Sequence, residues 1–177
     1  MTNPQKDASG VYQFDPGHTT VLWQCSHFGF SKPKGIFTSI EGTLDLDAVD
    51  PENSQIRVTI PLETVTTGNK QFDDHLKSKE FFDIEQYPKA SFESEKVEVT
   101  GKDSGRVYGI LTLHGVSKPV ILEVTFNKIG ENPIIKKPTV GFSATTTILR
   151  SDFGMKTFLP GIGDEVNLNI EAEANKP

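Results

Sequence analysis

From Val11 to the end of the chain, apolar and polar residues alternate with a period of two, the spacing that sends successive side chains to opposite faces of a sheet. Over 34–47, Ile36, Ile40, Leu44 and Leu46 share one face and Ser39, Glu41, Thr43 and Asp45 the other, with Phe37 out of step. Over 55–63, Ile56, Val58, Ile60 and Leu62 oppose Arg57, Thr59 and Glu63, the pattern of a half-buried strand. The same alternation returns in Val120, Leu122, Val124 and Phe126, then in Val140, Phe142, Ala144 and Ile148, and finally in Val166, Leu168, Ile170, Ala172 and Ala174. Over 19–30 both faces are covered, Val21, Trp23, Cys25 and His27 on one and Leu22, Phe28 and Phe30 on the other. Turn-forming words separate the runs: DPGH at 15–18, KPKG at 32–35, DPEN at 50–53, GKDSG at 101–105 and GENP at 130–133. The reading is all-β, with about eight antiparallel strands, and strands of about ten residues suit a tilted barrel better than a sandwich.

One stretch departs from the strand period. Residues 69–79 are good helix formers, with Asp73 and Asp74 early and Lys77 and Lys79 late, which suits the helix dipole and predicts a short helix there. Phe72 and Leu76 are four apart and share a face, and Phe81 and Phe82 follow, so this helix has a strongly apolar edge. No internal repeat or linker divides the chain. It reads as one domain over 11–177 behind a polar, disordered tail at 1–10.

Composition narrows the class of function. A net charge of −6 repels phosphate backbones, which argues against nucleic acid as a partner. No apolar run is long enough to span a bilayer. The single cysteine, Cys25, excludes an intrachain disulfide framework. The opening MTNPQKDASG lacks the apolar core of a secretion signal, which predicts a cytoplasmic protein, with periplasmic residence the alternative if a cleaved signal precedes it.

Chemistry-bearing residues are scattered. HExxH and paired short His spacings are absent, and His18 and His27 lie an odd number apart, so an unbroken strand would point them to opposite faces. The four histidines read as turn partners and strand-end hydrogen bonders, and no metal site is expected. There is no GxSxG elbow, and Cys25 and His27, alternate on one strand, stand roughly 7 Å apart, beyond hydrogen-bond reach. GIGD at 161–164 reads as a turn and no catalytic set emerges. What remains is a closed sheet in which Phe92, Phe126 and Phe142 alternate with Gly109, Gly141, Ala144 and Thr146. An eight-stranded barrel either fills its centre or holds one slender ligand, and period alone does not choose.

Particular words then matter: YQFDPGHT (12–19), HFGFSKPKGIF (27–37), DDHLKSKEFFDIEQYPKASF (73–92), GILTLHGVSKPV (109–120), RSDFG (150–154) and GDEV (163–166). In order, from about Val11 to Ala174, they resemble the YceI-like family of lipocalin-like, polyisoprenoid-binding proteins. The resemblance implies an extended eight-stranded antiparallel lipocalin-like barrel that holds a long isoprenoid or fatty chain, ubiquinone-like or polyprenyl, and needs no cofactor. It implies that the helix at 69–79 closes or lines the tube, with Leu76, Phe81 and Phe82 on the ligand and Asp74 and His75 holding the loop. It extends the ligand-binding set to Trp23, Phe28, Phe30, Ile36, Ile40 and Leu44, to Ile56, Val58, Ile60 and Phe92, and to Leu111, Leu113, Leu122, Phe126, Phe142 and Ile148. Lys32, Lys34, Lys118 and Arg150 are the cations for a pyrophosphate or quinone headgroup. Arg150 leads them, because its planar fork ends a strand and caps the tunnel, and its replacement by Met is expected to spare the fold.

An isoprene unit contributes up to roughly 4 kcal/mol on leaving water, but a bilayer is the proper reference for such a lipid, so a carrier or sequestering protein gains little net and releases its cargo. Open apolar mouths, and the resemblance, point to a homodimer. Two rivals stand beside this reading. One is an interaction or stress-response module with a filled core. The other is an enzyme on an apolar acyl or isoprenoid substrate using His27, His75 or His114 as base, although the expectation is a protein that is not an enzyme.

Overall fold

A computed structural model describes residues 8–177. The elements are β1 (Gly10–Phe14), β2 (Thr20–Gln24), β3 (Lys34–Phe37), β4 (Glu41–Leu46), β5 (Gln55–Pro61), α1 (Lys70–Lys77), β6 (Lys89–Val99), β7 (Ser104–Leu113), β8 (Val116–Glu131), β9 (Pro138–Leu149) and β10 (Glu165–Asn175). Residues 1–7 of the expected tail lie outside the described residues. The rest of that tail is built into the barrel, because the Ser9 hydroxyl accepts a hydrogen bond from the Ala48 amide at 2.8 Å and Gly10 opens β1.

Ten segments make an eight-stranded closed barrel. β1 and β2 lie end to end along β10, with Phe14 opposite Ala174 and Thr20 opposite Glu171. β3 and β4 lie end to end along those two, with Val21 opposite Phe37 and Gln13 opposite Thr43. β5 to β10 then follow as an antiparallel meander, and the pairing of β10 with β1 closes the ring, so that the edge an open sheet would expose is left along β3.

The two breaks have local causes. Asp15 accepts from the Gly17 amide through its side chain (2.9 Å) and from the His18 amide through its carbonyl (3.1 Å), so DPGH turns the chain between β1 and β2. The second break falls at Ser39, whose φ is +56°, and it changes which residues face inward. Phe37, expected out of step, is buried at the inner face, while Ile36 pairs with Leu22 on the outer face. The single strand expected over 34–47 is therefore two, and a period counted through Ser39 puts Ile36 on the wrong side. The strand expected over 19–30 likewise ends at Gln24.

The interior has two parts. At one end Tyr12, Phe14, Leu44, Val140 and Ala174 form a filled core, with Phe126 and Phe142 packed against it at a ring separation of 5.9 Å. At the other end Trp23, Phe37, Leu62, Leu76, Phe81, Leu111, Leu113 and Phe153 belong to a second, larger cluster. The strands run so that the connections 25–33, 62–88, 114–115 and 150–164 all lie at this second end.

Gly42 shows how tightly β4 and β5 are drawn together beside the filled core. Its φ is +153°, and a Cβ built there would lie 2.0 Å from the Arg57 carbonyl oxygen. Gly42→Ala therefore forces backbone apart as well as straining φ, and is expected to destabilise by about 3 kcal/mol or more. In thermal unfolding this is a Tm lower by roughly 6 °C or more for a chain of this size.

Candidate functional site

The larger cluster surrounds a cavity of about 610 Å³. Its strand walls are Val21 and Trp23 from β2, Phe37 from β3, Ile60 from β5, Ala90 from β6, Leu111 and Leu113 from β7, Ile148 from β9, and Val166 and Leu168 from β10. Several of these, Val21, Ile60, Ile148, Val166 and Leu168 among them, point inward yet are only half-buried, because their side chains border space and not other side chains.

One wall is not a strand. β5 stops at Pro61 and β6 starts by pairing Lys89 with Pro61, so β3 has no strand neighbour on the side away from β2. Residues 62–88 fill that gap. Ile36 and Thr66 exchange backbone hydrogen bonds of 2.9 and 3.0 Å, which seals the edge of β3. α1 follows, capped at Asn69, whose side chain accepts from the Phe72 amide at 3.2 Å. Phe72 and Leu76 face the cavity, with Phe72 edge-on to Trp23 at 6.4 Å, and beyond the helix Phe82 meets Phe37 edge-on at 5.4 Å. Asp73 fixes the segment, taking hydrogen bonds from the Thr67 amide (2.7 Å) and hydroxyl (2.6 Å). The loop-holding role expected of Asp74 thus belongs to its neighbour, since Asp74 makes an exposed ion pair with Lys70. His75 contacts Glu80 and also borders the cavity.

The mouth lies among the loops 25–33, 75–82 and 153–163 and carries Phe28, His27, Ser31 and Phe158. Phe158 sits 6.3 Å from the rings of both His75 and Phe81. Arg150 borders the cavity, but its guanidinium is not a free cap. Nε donates to the Gly163 carbonyl (2.9 Å), one terminal nitrogen to Met155 (3.0 Å) and the other to Ile162 (2.8 Å), and the residue is 5% exposed. The expectation that Arg150→Met spares the fold fails on this geometry, because the fork ties loop 155–163 to the end of β9.

Asp164 completes the tie, accepting from the Ser151 amide (2.8 Å) and hydroxyl (2.6 Å). Partial burial pushes its carboxyl up, but these hydrogen bonds, with Arg150 and Lys156 nearby, hold it below the usual carboxylate value. A depressed carboxyl stabilises fully above its unfolded value, near 4, and that contribution is lost as pH falls through the folded one. Amide hydrogen exchange in 155–163 is therefore expected to rise below about pH 4 before that of β7 and β8, and Asp164→Asn should flatten this dependence.

Of the predicted ligand set, the cavity wall gathers Trp23, Phe28, Ile60, Leu76, Phe81 and Phe82, together with Leu111, Leu113, Ile148 and Arg150. Phe30 is 89% exposed, and Ile36 faces outward. Ile40 is buried at the β3–β4 break, outside the wall. Leu44, Phe126 and Phe142 belong to the filled core, Ile56 and Val58 pack against both cores, and Phe92 and Leu122 pack within the cavity-side cluster without lining the cavity. Lys118 is exposed on β8.

Sequence reasoning left out Val21, Cys25, His27, Val166 and Leu168, all of them legible, since each shares an alternating face with a residue it did choose or describe. Met155, Phe158 and Ile162 sit in a loop with no period to read. Burial pushes the Cys25 thiol above its usual value, with Arg150 pulling the other way. Trp23 Nε1 is buried without a hydrogen-bond partner among the described residues. It lies so close under Gly35 that a Cβ there would meet the indole at 2.3 Å, so Gly35 makes room for the ring. Among the described residues, the metal-ligating types that gather are Asp15, His18 and Glu173, none of which lines the cavity. No described helix is long and apolar enough to cross a membrane.

Residues 12–174 match the model of the YceI-like domain. A UPF0312 protein of Pseudomonas putida (strain W619) is 38% identical over 160 residues, covering 90% of this chain and 82% of its own. Among solved structures, the YCEI protein of Campylobacter jejuni superposes with a TM-score of 0.77 at 34% identity, covering 86% of this chain and 90% of its own. A polyisoprenoid binding domain from Saccharophagus degradans superposes with a TM-score of 0.71 over 94% of this chain and 98% of its own, at 14% identity, a likeness of fold.

Proposed function

Because this chain belongs to the YceI-like domain family, we propose that its barrel holds one slender apolar chain, isoprenoid or fatty, for carriage or sequestration. The observation that carries the proposal is the cavity of about 610 Å³ in one half of a barrel whose other half holds the Tyr12, Phe14, Leu44, Val140 and Ala174 core. The Saccharophagus degradans domain that shares the fold is described as polyisoprenoid binding, which supports the same cargo class here.

The volume bounds the cargo. If each chain carbon takes about 30 Å³, the share of a water in the liquid, the cavity holds roughly 20 heavy atoms, or about four isoprene units. With Tyr12, Phe14, Leu44, Phe126 and Phe142 clustered at the far end, a polyprenyl chain longer than this would leave its remainder outside the mouth. The polar side chains a headgroup meets are few: His27, Ser31 and His75 around the mouth. The same scarcity favours binding over catalysis, since within the wall no nucleophile is hydrogen-bonded to a base among the described residues.

The test is solvent extraction of protein purified gently from its native host, with mass spectrometry of the extract against a denatured control. A stoichiometric polyprenyl, quinone or fatty species is expected. An empty extract would point instead to a barrel that binds only proteins.

A further inference from the structure

The cavity mouth is ringed by exposed aromatic side chains. Phe30 is 89% exposed, Phe28 54% and Phe158 51%, and Phe28 and Phe158 also line the cavity, so the exposed apolar surface is continuous with the interior. Phe28 and Phe158 adopt φ of +50° and +61°, a region bulky residues enter only where the surrounding chain holds them. The Phe28 amide donates to the Gly161 carbonyl at 2.7 Å, so the two loops that carry the rings are joined. The first loop, 25–33, together with Lys34 at the start of β3, carries Lys32 and Lys34 and no Asp or Glu, and the second, 150–164, adds exposed Lys156 and Asp152 to the hydrogen-bonded Arg150 and Asp164, in a chain whose net charge is −6. All three lysines are exposed, and none stands within ion-pair distance of a carboxylate among the described residues.

We propose that this rim docks on an anionic lipid surface, the three phenylalanines entering the interface and the three lysines meeting acidic headgroups. The inference rests on the lipid-holding reading, for which it supplies the route by which cargo passes between bilayer and cavity without crossing water. Aromatic rings with adjacent cations are the composition that partitions to such interfaces. A second copy of this chain fits the rim less well, because a two-fold contact would bring like-charged lysines from both copies together.

The experiment is flotation of the full chain with vesicles of phosphatidylglycerol and phosphatidylcholine in equal parts, and with phosphatidylcholine alone. Binding to the anionic vesicles is expected, weakened by salt, reduced about fivefold for each of Lys32→Gln, Lys34→Gln and Lys156→Gln, and abolished by Phe30→Ser combined with Phe158→Ser. Phe30→Ser alone is the fallback should Phe158→Ser lower Tm, since so exposed a ring contributes little to folding. Failure of the wild-type chain to float, or flotation indifferent to the Lys and Phe changes, overturns the proposal. So does a dimer in light scattering that the Phe changes dissolve, which would make the second copy the occupant. Cargo is read separately by extraction: cargo present without docking sinks this inference alone, and docking without cargo sinks the lipid-holding reading.

Discussion

Placing two aromatic rings in the cavity, through Leu168→Trp together with Ala90→Phe, should abolish cargo binding while the barrel stays folded. Leu168 lies opposite Trp23 in the β10–β2 register, Ala90 lies opposite Ile60 in the β5–β6 register, and both line the cavity. The register fixes their side chains inward, so the added rings have no other place to go. If they displace about five chain carbons, the lost burial is about 4 kcal/mol at roughly 0.8 per CH₂, close to a thousandfold in affinity. Folding should suffer less, with an overpacking cost of about 1–3 kcal/mol at Ala90, which is 3% exposed, and a smaller one at half-buried Leu168. Extraction and mass spectrometry of the variant check the first expectation and thermal unfolding the second. A folded double variant carrying wild-type amounts of lipid would place the chain outside this cavity.

The fold was legible because the sheet is regular. Alternation from Ile56 to Ile60, from Val120 to Phe126 and from Val166 to Ala174 passed directly into β5, β8 and β10, and the turn words fell at strand ends. Eight long strands were expected, and eight close the ring, two of them broken. Where the reading slipped, the backbone left the extended region. At Ser39 the chain takes a positive φ and the inward face passes from odd to even positions, which no count through residues 34–47 reveals. At 25–33 the chain departs from the sheet, and Phe30, which continues the alternation in sequence, ends in solvent.

The site divides along a similar line. Wall residues on strands share a face with their neighbours, so Trp23, Ile60, Leu111, Leu113 and Ile148 could be chosen from period and resemblance. Which half of the barrel is hollow could not. Phe126 and Phe142 are as apolar and as inward as Leu111 and Ile148, but they meet Tyr12 and Phe14 in the filled core, and only three-dimensional packing tells the two ends apart. Of the mouth lysines, the sequence singles out Lys32 and Lys34 as headgroup partners and passes over Lys156. Their collection, with three exposed rings, on two joined loops is a property of the fold.

Arg150→Met should lower stability by about 3 kcal/mol, the lower end of roughly 1–3 for each of three carbonyls left without its donor. The guanidinium donates to Gly163, Met155 and Ile162, and those three bonds tie loop 155–163 to the strand end from which Arg150 comes. Methionine fills much of the same space, so the cost lies in orphaned carbonyls and not in a void. For a chain of this length the shift in Tm is roughly 6–12 °C. Arg150→Lys should recover part of it, because one ammonium keeps the charge but cannot span three carbonyls held in a planar fork. The loss should also be local before it is global, with amide exchange rising first in 155–163, the loop that carries Phe158 and Ile162 into the cavity wall. Cargo retention falls with it, since the wall loosens on that side. A variant that loses cargo at unchanged Tm would return Arg150 to the headgroup role its sequence position suggests. One that loses stability first makes the residue the clamp of the mouth.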